Sequence, residues 1–323
     1  MRALVCEALS DDLSGVAVRE VAQPAPGPGE ALVRVRAASV NFPDMLMCQG
    51  KYQFRPDPPF TPGMDMAGEV VALGEGAEGP AIGAAVYGGA RLGAFADYAL
   101  AQASALQPKP AALSFEEAAA FPAASLTAYV ALVRRGALQR GEWLLVHGAA
   151  GGVGYAAVQL GLHLGARVIA TASSAEKRAF LADKGVAHVL PATGFREAVK
   201  EITGGAGADV IYDPVGGDVF DESVRCIAFG GRLLVIGFAG GRIASVSTNM
   251  PLIKGFSVVG VRAGEYGRRD PVKGKENLSA IAALAEAGAL KPHIGARFSL
   301  EQARDALVHI QGRRAIGKIV VTP

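Results

Sequence analysis

Between residues 143 and 154 the chain reads WLLVHGAAGGVG, an apolar, β-prone run that meets a glycine cluster, and the helix-forming YAAVQLGLH follows at once. Such a series folds as strand, tight turn and helix. By length alone the 24 uncharged residues from 143 to 166 could span a bilayer. Six glycines and two histidines within them argue against a membrane helix. In the setting of a strand, a turn and a helix, GAAGGVG (148–154) matches the dinucleotide fingerprint G-x-G-x-x-G. The backbone at Ala150, Gly151, Gly152, Val153 and Gly154 is then expected to face a pyrophosphate, because the first N–H groups of a helix have no partner within it. Gly151 would let the chain approach the phosphates, and Gly154 would let the helix pack on the strand. Ala149 stands where the first glycine of the fingerprint belongs, a change that a tight turn accepts.

The rest of the chain divides around this motif. Its 323 residues suggest about two domains. The first ~120 residues read as short strands, ALVRVRAASV (31–40), MAGEVVALG (66–74) and ADYALAQ (96–102), broken by PAPGPGE and PDPPFTPG, which cannot continue a hydrogen-bond ladder. This predicts an irregular β domain. At SFEEAAAFP the texture changes: Ser114 and Glu117 have the spacing of a capping box, and a boundary is placed near 122. Six strand candidates and at least four helices then alternate as far as 262, the pattern of a parallel, doubly wound sheet. A polar loop, EYGRRDPVKGKEN, and the helix LSAIAALAEAG come next, and the terminal IVV strand is expected to rejoin the first domain. The expected division is therefore 1–121 with 263–323, and 122–262.

Which dinucleotide binds is decided at the end of the second strand, where an acidic residue would hold the ribose hydroxyls of NAD. Ala172, Ser173 and Ser174 stand there, with Lys177 and Arg178 following. Cations at a helix start suit an outside anion, here the 2′-phosphate of NADPH. A net charge of +2 with scattered basic residues gives no reason to expect nucleic-acid binding. Three dispersed cysteines suggest a reducing compartment, and MRALVCEALSDD lacks the apolar run of a secretory signal, so cytoplasm is the default expectation.

Taken together, VRVRAASVNFPD (33–44), TPGMDMAGEV (61–70), LVHGAAGGVGYAAVQL (145–160), VIYDPVGG (210–217), GGRLLVIGF (230–238) and AIGKIVV (315–321) resemble the medium-chain dehydrogenase/reductase superfamily. Within it they are most similar to the zinc-free NADPH:quinone oxidoreductase branch that includes ζ-crystallin. The resemblance implies an α/β protein with a GroES-like catalytic domain, a Rossmann domain inserted between its halves, and NADPH in the cleft. Where alcohol-oxidising relatives carry zinc ligands, this chain has Asn41 and the triplet Gly63, Met64 and Asp65, and its five histidines form no ligand-spaced pair. His147 and His163 are expected to be packing residues.

Without a metal, the resemblance implies hydride transfer from NADPH to an acceptor that is already activated, a quinone or an α,β-unsaturated carbonyl, mainly by positioning. It implies Asn41 or Tyr52 as hydrogen-bond donor to the acceptor oxygen and Thr127 as a contact of the cofactor, with Asp44 and Asp65 supporting the backbone. Gly237, Phe238 and Arg262 would line the nicotinamide side, and Lys318 would reach the cofactor from a terminal loop. Two other readings stay open. One is an enoyl-CoA or acryloyl-CoA reductase, with Arg268, Arg269, Lys273 and Lys275 meeting CoA phosphates. The other is a non-enzymatic NADPH-binding protein, crystallin-like or RNA-associated. Relatives pair along the sixth strand, so a homodimer is expected.

Overall fold

The computed structural model describes residues 1–323, which form two compact units, Met1–Pro122 with Lys291–Pro323 and Ala123–Leu290. In the first, β1 (Arg2–Cys6) pairs antiparallel with β2 (Val16–Glu20). The long β3 (Glu30–Val40) leads straight into α1 (Phe42–Cys48), and β4 (Asp65–Leu73), β5 (Ala85–Gly89), β6 (Tyr98–Gln102) and β7 (Gln107–Pro108) follow. The VRVR alternation of β3 is read out directly: Val33 and Val35 are buried, while Arg34 and Arg36 turn outward and both reach Glu69 on β4. Leu4, Val33, Met66, Phe95, Leu307 and Ile319 belong to the core of this unit, which joins both ends of the chain.

α2 (Phe115–Tyr129) starts where the sequence predicts. The Glu117 N–H donates to Ser114 Oγ at 3.1 Å, and the Ser114 N–H to Glu117 Oε2 at 2.9 Å. The helix widens into a π-type turn over Val130–Arg135. Beyond it the second unit alternates strictly: β8 (Trp143–Val146), α3 (Gly152–His163), β9 (Arg167–Ala172), α4 (Ala175–Asp183), β10 (His188–Pro191), α5 (Arg196–Ile202), β11 (Ala208–Asp213), α6 (Asp218–Ser223), β12 (Ile227–Val235), α7 (Asn249–Lys254) and β13 (Ser257–Gly260). All its strands are parallel, in the order β10-β9-β8-β11-β12-β13. The order reverses beside β8, the topological switch point at which open α/β sheets bind ligands.

The structure departs from the sequence reading at two places here. The stretch expected as a polar loop is helical, α8 (Ala263–Arg269) and α9 (Pro271–Glu286). Glu265 pairs with Arg268 and Arg269 one turn on, and Asp270 caps α9 by accepting the Lys273 N–H at 3.0 Å, with a proline in the first turn. Charge that looked like solvated loop is thus arranged as i,i+3 and i,i+4 helix pairs. The second unit also continues to Leu290, past the expected 262, because α9 is tied to it: Arg134 Nε donates to Asn277 Oδ1 at 2.8 Å.

β14 (Ile294–Ser299), α10 (Ala303–Gln311) and β15 (Lys318–Thr322) complete the first unit. As expected of the terminal IVV segment, β15 pairs antiparallel with β3, and it also pairs parallel with β14. His147 is wholly buried between Thr171 Oγ1 (2.9 Å) and Ser223 Oγ (2.8 Å). Ser223 gives its own proton to Val219 O, so it accepts from His147 Nε2–H, and His147 Nδ1 accepts from Thr171. Burial holds its pKa down to about 3, so the ring is a neutral packing element. His163 is exposed, which corrects the expectation that it packs: it ends α3 on the outer face. No helix is long and apolar enough to cross a membrane, and residues 143–166 form β8, the glycine turn and α3.

Candidate active site

The glycine turn leaves the C-terminal end of β8, where Gly148 takes the left-handed conformation (φ 55°). The left-handed residue therefore precedes Ala149, and this is why the fingerprint tolerates alanine there: Ala149 is buried and its N–H donates to Thr171 O on β9. The Gly151 N–H folds back to Gly148 O (2.9 Å), and the Tyr155 N–H closes the first helical turn on Gly151 O (2.8 Å). The N–H groups of Gly152, Val153 and Gly154 precede that bond and have no backbone acceptor. A Cβ on Gly154 would stand 2.3 Å from Gly148 O, so only glycine lets α3 lie this close to the strand. Gly151 has more room, its nearest neighbour being Gly148 O at 3.3 Å.

Next to this turn, β9 ends at Ala172 without a carboxylate. Ser173 and Ser174 are exposed. Ser174 also caps α4, its Oγ accepting the Lys177 N–H at 3.2 Å. Lys177 and Arg178 are half-buried in that first turn, and Arg178 donates to Ala172 O. Burial lowers the Lys177 ammonium from its ordinary value, against the raising influence of Glu176. At the same sheet edge Gly237 and Phe238 follow β12, and the next N–H, of Ala239, donates to Pro214 O in the loop after β11. Arg262 lies beyond β13, 69% exposed and facing Glu265 at 3.9 Å. Thr127, on α2, donates its hydroxyl to Ala123 O at 2.6 Å, which leaves the oxygen's lone pairs to meet other groups.

In the first unit the structure gathers residues far apart in sequence. Asn41 sits between β3 and α1, and its own N–H donates to Asp44 Oδ2 at 2.8 Å across the first turn of the helix. Its side chain turns the other way. Nδ2 donates to Asp65 Oδ2 at 2.9 Å, at the start of β4, and Oδ1 accepts from Lys318 Nζ at 2.6 Å, at the start of β15. The sequence reading has Lys318 in a terminal loop reaching a cofactor; it is instead buried in the first unit against Val40 O and Asn41. The pattern KIVV carried one legible signal, a cation at the head of an otherwise apolar strand. Burial pushes the Asp44 carboxyl up to about 7, helped by the nearby Asp65 charge and opposed by the Asn41 N–H and Lys318. Burial likewise lowers the Lys318 ammonium, which the two carboxylates partly restore. Asp65 therefore does more than support the backbone. Tyr52 and Met64 are half-buried, packed against the same core.

Residues 152–280 match the family described as zinc-binding dehydrogenase, and residues 27–111 the alcohol dehydrogenase GroES-like domain. Mouse quinone oxidoreductase-like protein 2 is 36% identical over 99% of this chain and 92% of its own length. A probable oxidoreductase from Mycobacterium abscessus superposes with a TM-score of 0.91 at 37% identity, covering 100% of this chain and 99% of that one. A mycobacterial protein solved in complex with NADPH gives 0.92 at 30% identity, with both chains covered fully. With a GroES-like domain, a Rossmann-type parallel sheet and relatives matched over nearly their whole length, the chain belongs to the medium-chain dehydrogenase/reductase superfamily, among its quinone oxidoreductase-like members.

Proposed function

We propose that the protein is an NADPH-dependent reductase of quinones or other activated α,β-unsaturated carbonyls that works without zinc. One observation carries the reading: the phosphate-type turn 148–154 and the carboxylate-free end of β9, with Lys177 behind it, lie side by side at the C-terminal edge of a single parallel sheet. These residues fit NADPH. The unpartnered N–H groups at the start of α3 suit a pyrophosphate, and a desolvated ammonium suits a 2′-phosphate, which would restore its lost stabilisation. Ala150 to Gly154 would hold the pyrophosphate, Ser173, Ser174 and Lys177 the adenosine end, and Gly237, Phe238 and Thr127 the nicotinamide side, with Arg262 near them. When bound, NADPH supplies a hydride. The chain's own part is to orient the acceptor and stabilise the charge that develops on its carbonyl oxygen, with Asn41 and Tyr52 as the donors nominated.

Zinc does not fit the Asn41 cluster. No group of three or more His, Cys, Asp or Glu side chains converges anywhere to hold a metal. Where relatives would present ligands stand an amide, a thioether and one carboxylate, with the Lys318 ammonium 2.6 Å from the amide oxygen, where it would repel a dication. The cations that suggested CoA are engaged locally, Arg268 and Arg269 with Glu265 and Lys273 with Asp270, which favours the simpler acceptors. Following the absorbance of reduced nicotinamide with benzoquinones, enones and acryloyl-CoA, in NADPH and NADH side by side, tests the whole reading. Turnover with quinones or enones and a preference for NADPH are expected. Turnover confined to acryloyl-CoA moves the enzyme to the thioester class, and tight NADPH binding without turnover makes it a non-enzymatic binder.

A second copy of the chain is the partner we propose for the open edge of β13. Beside that edge Phe229, Leu252 and Ile253 are 87%, 83% and 72% exposed, and the Phe229 ring lies over Gly255. An uncovered apolar sheet edge is an aggregation liability that pairing removes. Light scattering is expected to report a dimer, and Val258→Lys on β13 a monomer.

A further inference from the structure

The Asn41 amide meets, on one side, a group that only donates and, on the other, one that only accepts. Lys318 Nζ donates to its Oδ1 at 2.6 Å and to Val40 O at 3.3 Å, and Asp65 Oδ2 accepts from its Nδ2 at 2.9 Å. An ammonium has no lone pair and an ionised carboxylate no proton, so the amide cannot turn end for end without two mismatched contacts. One amide hydrogen is left over. Its only acceptor in the chain is Ser39 O at 3.4 Å, long for an N–H···O bond, and Asn41 itself is half-buried rather than sealed. Packing does not account for the lysine. Lys318 is 6% exposed at the head of a strand that continues Ile319, Val320, Val321, and desolvating an ammonium beside carboxylates is costly where an apolar side chain would fill the space.

We propose that Lys318 is a positioning residue: with Asp65 it locks the Asn41 amide so that the weakly held Nδ2–H is presented as donor to the acceptor's carbonyl oxygen. This rests on the reduction proposed above and adds to it the group that prepares the donor. In that reduction the acceptor gains a hydride from NADPH, which becomes NADP⁺. The acceptor's π pair shifts to the carbonyl oxygen, and a proton from solvent completes the product. The N–H stabilises the oxygen while it carries charge, and a fixed donor does so without reorganising.

The test is a cycle of Lys318→Met, Asn41→Leu and the double variant. Each single change is expected to lower kcat by about tenfold to a hundredfold, the worth of one charge-assisted hydrogen bond. The double variant is expected to fall no further than Asn41→Leu, because Lys318 acts through Asn41. The dissociation constant for NADPH, read by fluorescence, is expected to stay within about twofold. Additive losses overturn the proposal, and so does a Lys318→Met enzyme with unchanged kcat and weakened NADPH binding, which would make the lysine a cofactor contact. A second readout needs no turnover. In the unliganded protein the Asn41 side-chain NH₂ resonances, assigned by their loss in Asn41→Leu, are expected to be widely split and to collapse towards ordinary amide positions in Lys318→Met. An unchanged pair overturns the locked amide. Should Lys318→Met fail to fold, Lys318→Met/Asp44→Asn removes a buried carboxyl with the ammonium and serves in its place. A wild-type protein that reduces no acceptor overturns the reduction itself, and the NMR readout then still judges the lock.

Discussion

Under the proposed function, the glycine turn of the second unit and the Asn41 cluster of the first solve the same problem, presenting N–H donors to a polar ligand, by opposite means. In the turn the donors are backbone groups of consecutive residues, left without an acceptor because a helix begins there, and no side chain is needed. In the cluster the donor is one side-chain amide, aimed by groups at positions 65 and 318 that only the folded sheet brings together. A local device is robust and unspecific, whereas a tertiary device is tunable but depends on balancing buried charge. The difference predicts that the turn fails by steric change alone, and that the cluster fails by loss of charge or hydrogen-bonding capacity with its shape kept.

Gly154→Val should produce the largest effect. A side chain 2.3 Å from Gly148 O forces α3 away from β8, with loss of measurable NADPH binding in a fluorescence titration and about 1–3 kcal/mol of stability in a thermal melt. Normal binding by this variant would break the claim that the turn acts through close approach. A smaller effect, in specificity, is expected of Lys177→Gln: the preference for NADPH over NADH should fall about tenfold in kcat/KM, with the value for NADH nearly unchanged. An equal loss with both cofactors would assign Lys177 to structure.

The Asp44 carboxyl sharpens the other half of the comparison. Its folded pKa of about 7 lies above the ordinary value of 3.8, so the folded state holds a proton that the unfolded state has already released. The stability from this group is complete below about pH 4 and is lost as pH rises through 7. Asp44→Asn should therefore flatten the decline in Tm between pH 4 and 7 and leave the variant more stable than wild type at pH 8. An identical slope in both proteins would show that Asp44 ionises freely in the fold. The smallest expected effect on stability belongs to Ser174→Ala, which removes a helix cap on an exposed turn and costs about 1 kcal/mol in a melt.

Much of this molecule was legible as a string of residues where the physics is local. The capping box at Ser114 and Glu117, the alternation from Trp143 to Gly260 and the turn around Gly148 each depend on residues within a few positions of one another, and each stands in the structure where the sequence puts it. Reading failed where charge had more than one use. The run from Glu265 to Asn277 looked like a solvated loop because composition cannot tell scattered charge from i,i+4 pairs, and the helices α8 and α9 use it as the latter. Exposure of His163 was likewise invisible, since an apolar stretch says nothing about which face of its helix looks outward.

Sequence by itself determined the two kinds of unit, the alternation of strands and helices that marks a parallel sheet and the place of the phosphate-type turn, because propensity, capping and glycine geometry act over a few residues. Only the tertiary structure decided what Asn41 and Lys318 do. They are 277 positions apart, and their hydrogen bond exists because β15 returns from the end of the chain to pair with β3, setting a buried ammonium against a half-buried amide.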